Sequence, residues 1–305
     1  MDWAEEIGTA WERVRPHVRR TPVLTGERFG LPFDVALKLE QLQHTGSYKA
    51  RGAFNTLLSG PVPEAGLVAA SGGNHGAAVA HAAAELGHKA RIYVPEMAGP
   101  AKIGLIERLG ADLQVVPGAY ANALDAARAW EAETGAGQIH AYDAPATVAG
   151  QGTLMAEWED QGLEADTVLI AVGGGGLIGG ALAWLGGRRK VVAVEPERSR
   201  ALHAALEAGA PVDVEVGGVA ANALGARRIG EICFSLAHAQ DIESVLVSDA
   251  AITEAQALLW RALRLLVEPA GATALAALLS GAYRPEPDER VAVLLCGGNI
   301  ALDPI

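Results

Sequence analysis

Lys49 stands in the run His44-Thr45-Gly46-Ser47-Tyr48-Lys49-Ala50-Arg51-Gly52-Ala53, after a turn-forming stretch and an aromatic and at the start of a predicted helix. Lysine forms Schiff bases once burial or a neighbouring cation lowers its pKa enough to free the amine. Arg51 is a candidate for such a cation. A lone lysine is most often a solvated surface charge, so the expectation of chemistry here rests on three distant loops.

The first loop is Gly173-Gly174-Gly175-Gly176-Leu177, placed between an apolar strand and an apolar helix. Glycines let the backbone approach a ligand closely, and the helix start adds partial positive charge, so the natural guest is a phosphate. The second is Ser71-Gly72-Gly73-Asn74-His75-Gly76, also between strand and helix. Ser71 and the N–H groups after it suit a carboxylate, and the Asn74 amide suits a phenolic oxygen. For His75 a capping or packing role outweighs catalysis. The third is Cys296-Gly297-Gly298-Asn299 after a final apolar strand. Free cysteine usually behaves as a small buried hydrophobe, but parallel strands put all three loops at one edge of the sheets, where ligands bind.

The elements that must position these loops alternate along the chain. Apolar runs at 35–40, 66–70, 90–95, 112–116, 138–142, 167–172, 190–194 and 291–295 read as strands, separated by alanine-rich helices at 77–86, 102–109, 121–134 and 178–185. An amphipathic helix precedes them, up to about Arg20. This pattern predicts an α/β fold of two lobes, with parallel-type sheets covered by helices and the ligand cleft between them. We expect a small lobe over 55–143 and a large lobe over 1–54 and 144–305.

Composition narrows the function. The 305 residues are half hydrophobic and one fifth charged, as in an ordinary globular protein. A net charge of -12 argues against nucleic acid and anionic membranes as partners. Two cysteines, Cys233 and Cys296, are too few for a disulfide framework and fit a reducing, cytoplasmic setting. Residues 167–187 are uncharged and long enough to span a membrane, but four consecutive glycines split them into strand, turn and helix. No His-x-x-x-His or Cys-x-x-Cys pair supports a metal site, and no Gly-x-Ser-x-Gly elbow supports a serine hydrolase. A dinucleotide-binding dehydrogenase is the competing enzyme: residues 174–179 fit G-x-G-x-x-G, and Glu195 follows at the distance of a ribose-binding acid. That alternative leaves Lys49 and the other two loops without a role.

Together these motifs resemble the fold type II pyridoxal-phosphate enzymes, the tryptophan synthase β-like family, and within it the serine/threonine dehydratases. The resemblance runs from about Arg20 to Asn299. It implies pyridoxal 5'-phosphate as cofactor and Lys49 as the Schiff-base lysine and base at Cα. Gly173, Gly174, Gly175, Gly176 and Leu177 would form the phosphate loop, Asn74 would face the cofactor's 3′-oxygen, and Cys296 its pyridine nitrogen. Glu268, in Glu268-Pro269-Ala270-Gly271, would line the cofactor. Ser71, Gly72, Gly73, Asn74 and His75 would hold the carboxylate of a small amino-acid substrate. A homodimer is implied as well.

The implied reaction is dehydration and deamination of L-threonine or L-serine to a 2-oxo acid and ammonia. A serine racemase, a 3-hydroxyaspartate dehydratase and a non-catalytic cofactor-binding protein are the alternatives. Three departures from the family pattern sharpen this. Gly72 stands where racemases carry a second serine, so elimination is expected over racemisation. Glu195 matches one ligand of a divalent cation, but Ala201 replaces the acidic partner, so no metal is expected. Residues 217–222, Gly-Gly-Val-Ala-Ala-Asn, replace a segment that is Ala-Asp-Gly in many relatives, which bears on the β-substituent. Only a few residues follow Asn299, so isoleucine feedback is not expected.

Overall fold

In the computed structural model, which describes residues 1–98, 100–118 and 120–300, the apolar runs form two sheets. The strands are β1 (Val23–Glu27), β2 (Val35–Leu39), β3 (Leu67–Ala70), β4 (Ala90–Pro95), β5 (Asp112–Val116), β6 (Gly137–Gln138), β7 (Thr167–Ala171), β8 (Lys190–Pro196), β9 (Glu243–Val247) and β10 (Val291–Leu295). The helices are α1 (Trp3–Val14), α2 (Lys49–Leu58), α3 (Asn74–Glu85), α4 (Pro100–Arg108), α5 (Tyr120–Thr134), α6 (Pro145–Asp160), α7 (Gly176–Leu185), α8 (Ala201–Ala208), α9 (Ala221–Leu224), α10 (Glu231–Ala239), α11 (Asp249–Leu263) and α12 (Pro269–Ser280).

The larger sheet runs β1-β2-β10-β7-β8-β9 and the smaller β5-β4-β3-β6. All pairings are parallel except β1 with β2. Every residue of β7 and β10 is buried, as expected where helices cover both faces of a parallel sheet and the strands read as unbroken Val/Ile/Leu runs. Each sheet carries its own hydrophobic core. One is centred on Leu169, Ile170, Val192 and Leu294, the other on Phe54, Val79 and Ile92.

Three expectations are corrected. The first helix stops at Val14 instead of near Arg20. The run 138–142 is not a strand, because β6 ends at Gln138 and the chain leaves the sheet there. β1 and β9 escaped the sequence reading because both are edge strands with exposed positions, so neither shows an unbroken apolar run. The candidate membrane stretch divides into β7 and α7, and among the described residues no helix is long and apolar enough to cross a membrane.

Candidate active site

Lys49 opens α2 two residues after Ser47, which forms an isolated antiparallel bridge with Gly297. The Tyr48 N–H donates to the Cys296 carbonyl (3.2 Å), so the loop after β10 and the lysine share one backbone contact. Lys49 Nζ donates to the Ala141 carbonyl at 2.6 Å. Burial lowers its pKa to about 8, and the nearby Cys296 acts in the opposite direction. Desolvation disfavours the charged amine, and little here restores it.

Arg51 does not supply the cation expected from the sequence. Its side chain is fully buried and turned into an ion network beneath α2. Nε and Nη2 donate to Glu40 (2.9 and 2.7 Å), and Nη2 also donates to Glu157 (2.9 Å). Lys38 Nζ donates to Glu157 (2.5 Å), to Gln161 (2.6 Å) and to the Thr21 carbonyl (2.9 Å). Two cations and two carboxylates balance, and Arg51 is not among the groups that shift the Lys49 amine. The guanidinium anchors the helix that carries the amine.

The glycine loop packs against the segment 139–143. A side chain at Gly174 would collide with the Tyr142 ring, and one at Gly176 would lie 2.9 Å from the Tyr142 Cα. Gly175 has φ +96°, a conformation other residues rarely adopt, and caps the start of α7. The first N–H groups of α7 have no partner within the helix. Leu177 is buried behind them. Backbone N–H groups at such a helix start are able to receive an anion, and Tyr142 packs against the loop that carries them.

The loop 71–74 follows β3 in the other sheet. Ser71 Oγ accepts from the Gly73 N–H (3.2 Å), and α3 begins at Asn74. A Cβ at Gly72 would collide with that of Ala98 and lie 3.3 Å from Val94 Cγ1. The His75 ring is buried, with Nε2 2.9 Å from the Ile139 carbonyl. Because a carbonyl only accepts, Nε2 carries the proton. Burial, then the Lys49 charge, lowers the His75 pKa to about 3, so the ring is neutral. Its side chain faces Ile139, which leaves its backbone N–H for a ligand.

Asn74 Nδ2 donates to Glu268 Oε1 at 2.5 Å, and Glu268 is buried at the start of α12. Cys296 Sγ lies 3.5 Å from the Ala270 carbonyl. Burial, then Glu268, raises its pKa, so the thiol stays neutral. The structure therefore gathers Lys49, Asn74, Glu268 and Cys296 by direct contact or charge coupling.

Four residues were missed in the sequence: His140, Tyr142, Asp143 and Asn299. His140 Nδ1 accepts from the N–H groups of Asp143 (2.8 Å) and Tyr142 (3.3 Å), and Asp143 accepts from Glu231 N and Ile232 N at the start of α10. The segment 139–143 thus touches the lysine, His75, the glycine loop and α10. The available signal was polar and aromatic residues alternating at the end of a short strand. Glu195 is buried and accepts from Leu202 N (2.9 Å) and His203 N (2.7 Å) at the start of α8. Its pKa is raised to about 7 by burial. The sequence reading of Glu195 as a ribose-binding acid fails, because both oxygens cap this helix.

The profile of the family described as "Pyridoxal-phosphate dependent enzyme" matches residues 14–297. The chain belongs to this family. A phenylserine dehydratase of Ralstonia pickettii is 36% identical over 294 residues, covering 94% of this chain and 90% of that protein. A threonine deaminase structure from T.th. superposes with a TM-score of 0.90 at 36% identity, covering 98% and 99% of the two chains. Maize serine racemase superposes with a TM-score of 0.93 at 28% identity, covering 98% and 94%. The cofactor is pyridoxal 5'-phosphate, and the dinucleotide alternative falls. The residues fit this cofactor on structural grounds: a glycine loop at a helix start where Tyr142 leaves no room for a side chain at Gly174, so the backbone alone faces a ligand, and a buried lysine whose amine titrates near 8.

Proposed function

We propose that this protein catalyses the dehydration and deamination of a small L-3-hydroxy amino acid, L-threonine or L-serine in the first instance, to the 2-oxo acid and ammonia. The observation that carries it is a buried amine at Lys49 together with a bare Gly72. The amine titrates near 8, and Gly72, backed by Ala98 and Val94, offers no side chain to return a proton. This favours elimination over the racemase alternative.

In this reading Gly173, Gly174, Gly175, Gly176 and Leu177 hold the cofactor phosphate, and Asn74, Glu268 and Cys296 line its ring. Ser71 and the N–H groups of Gly72, Gly73, Asn74 and His75 hold the substrate carboxylate. Pyridoxal phosphate supplies the electron sink that makes the substrate's Cα proton acidic. Lys49 Nζ takes that proton, and the Ala141 carbonyl steadies the resulting ammonium at the position seen here. A neutral Cys296 thiol would be at most a weak donor to the cofactor, which would favour prompt departure of the β-hydroxyl over other fates. The substrate loses Cα–H and β-OH as water. Hydration of the released imino acid then gives ammonia, so no oxidant is required. Ala201 stands where a second acid would be needed beside Glu195, so no divalent cation is expected. The chain 55–143 is the small lobe of this enzyme and the remainder its large lobe; a cytoplasmic homodimer completes the reading.

Ammonia release measured with L-serine, L-threonine, 3-phenylserine and the 3-hydroxyaspartate diastereomers tests the function and ranks the substrates. The phenylserine arm is motivated by the Ralstonia relative. We expect turnover of at least one, with 2-oxo acid equal to ammonia. D-amino acid formed faster than 2-oxo acid would overturn elimination, and no turnover with bound cofactor would favour a non-catalytic binder.

A further inference from the structure

We infer that Asn299 is a positioning residue that locks the Asn74 amide in one orientation and thereby decides what Asn74 offers to a ligand. The inference rests on the reading that Asn74 faces the cofactor. Asn299 Nδ2 makes two contacts, to the Thr45 carbonyl at 2.7 Å and to Asn74 Oδ1 at 2.9 Å. The Thr45 carbonyl can only accept, so the nitrogen of Asn299, not its oxygen, faces this corner. At its other end Asn74 Nδ2 donates to the Glu268 carboxylate at 2.5 Å.

Both ends of the Asn74 amide are therefore specified. A flipped amide would set its NH₂ against the NH₂ of Asn299 and its oxygen against the carboxylate of Glu268, replacing two attractions with two repulsions. In the locked orientation the oxygen is already engaged with Asn299 and one N–H is engaged with Glu268. The remaining N–H is what Asn74 has left to give. Asn74 then selects an oxygen acceptor, and most strongly one that carries negative charge.

Asn299 also registers the loop before Lys49. Gly46 has φ +75°, and a Cβ there would collide with Asn299 Oδ1, while the Gly298 N–H donates to the Gly46 carbonyl at 2.9 Å. One side chain thus ties the turn that leads into the lysine to the loop that follows β3. The sequence showed Asn299 only as the end of a glycine turn, because its two partners lie 225 and 254 residues away.

The test uses Asn299→Asp, which keeps the shape and replaces donor by acceptor, with Asn299→Ala as a second variant and Asn74→Ala as a reference. Three quantities are read: the cofactor Kd of the cofactor-free protein, the pH at which the visible band of the bound cofactor changes, and the melting midpoint of the cofactor-free protein. We expect Asn299→Asp to weaken the cofactor about 10-fold, the size of one lost hydrogen bond. The pH of the spectral change should move upward, because the phenolic oxygen loses a donor. Asn299→Ala should move both in the same direction, with the cofactor-free midpoint held within about 2 °C. Unchanged Kd and spectrum in both variants, with Asn74→Ala impaired, would overturn the positioning role alone. A fallen midpoint without spectral change would also overturn it, leaving a purely structural residue. Unchanged Kd and spectrum in Asn74→Ala would instead sink the reading that Asn74 faces the cofactor.

Discussion

At the scale of single residues, the Lys49 amine makes a numerical prediction. With a pKa of about 8, set by burial, half of it is free at pH 8. At the ordinary lysine value the free fraction there would be well under one percent. In cofactor-free protein, the rate of reductive methylation at Lys49, followed by peptide mass mapping, should rise with pH and level off around a midpoint near 8. A midpoint near 10 would mean that the amine is hydrated. Gly72 makes a second prediction. Gly72→Ser places its Cβ against Ala98 and, on the steric cost of overpacking of about 1–3 kcal/mol, should lower elimination about 10-fold or more without producing D-amino acid. Adding Ala98→Gly should recover most of the rate, and chiral chromatography of the products decides whether a racemase has been made. Lys49, Asn74 and the four glycines were legible in the sequence because they sit in short motifs at junctions between an apolar run and a helix, where local order alone places them. His140 and Asn299 were not, since their roles come from partners that folding brings near.

At the scale of elements, the network beneath α2 holds the lysine in place. Glu40, Arg51, Lys38 and Glu157 are all fully buried, and removing one partner leaves the others uncompensated. Arg51→Met should destabilise the protein by about 3–5 kcal/mol in urea unfolding. The midpoint of Lys49 methylation should stay within about half a pH unit, because burial and not Arg51 sets it. A large shift of that midpoint would restore the role first expected from the sequence. Burial works against the charge of Glu40, but Arg51 holds its carboxyl below the usual range. Its contribution to stability is therefore fully present above the unfolded value near 4.5 and lost as pH falls from there through the lowered folded value. The strand assignments show where legibility ended. β4 and β10 match the apolar runs because each is a parallel strand inside its sheet with buried positions; β5 matches although it is an edge strand, because its sequence Asp-Leu-Gln-Val-Val still carries three apolar residues. The run 138–142 imitated one, but only Gln138 pairs with a neighbouring strand, while His140 braces the turn that follows and Tyr142 packs on the glycine loop. Alternation alone does not distinguish those two environments.

At the scale of the whole molecule, the proposed cofactor contacts come from both sheets. The glycine loop and Cys296 follow strands of the six-stranded sheet, while the loop 71–74 follows β3 of the four-stranded one and α2, which Lys49 opens, packs into the core of that smaller sheet. The segment 139–143 leaves the smaller sheet at β6 and reaches α10 and the glycine loop. A ligand seated between these groups adds a second link between two cores that the Arg51 ion network already ties together. Binding only the folded state at about 100 times its Kd stabilises it by about 2.7 kcal/mol. At about 2–4 °C per kcal/mol for a chain of this order, the melting midpoint should rise by roughly 5–10 °C on loading. Lys49→Ala, which loses the attachment point but keeps the phosphate cradle, should show a smaller rise at the same cofactor concentration. Hydrogen exchange locates the effect. In the cofactor-free protein the amides of α3 and of the loop 71–74 should exchange faster, while β7 and β10, buried along their whole length, should keep their protection. Equal protection of α3 with and without cofactor would mean that the smaller sheet is held by its own contacts and that the ligand does not couple the two.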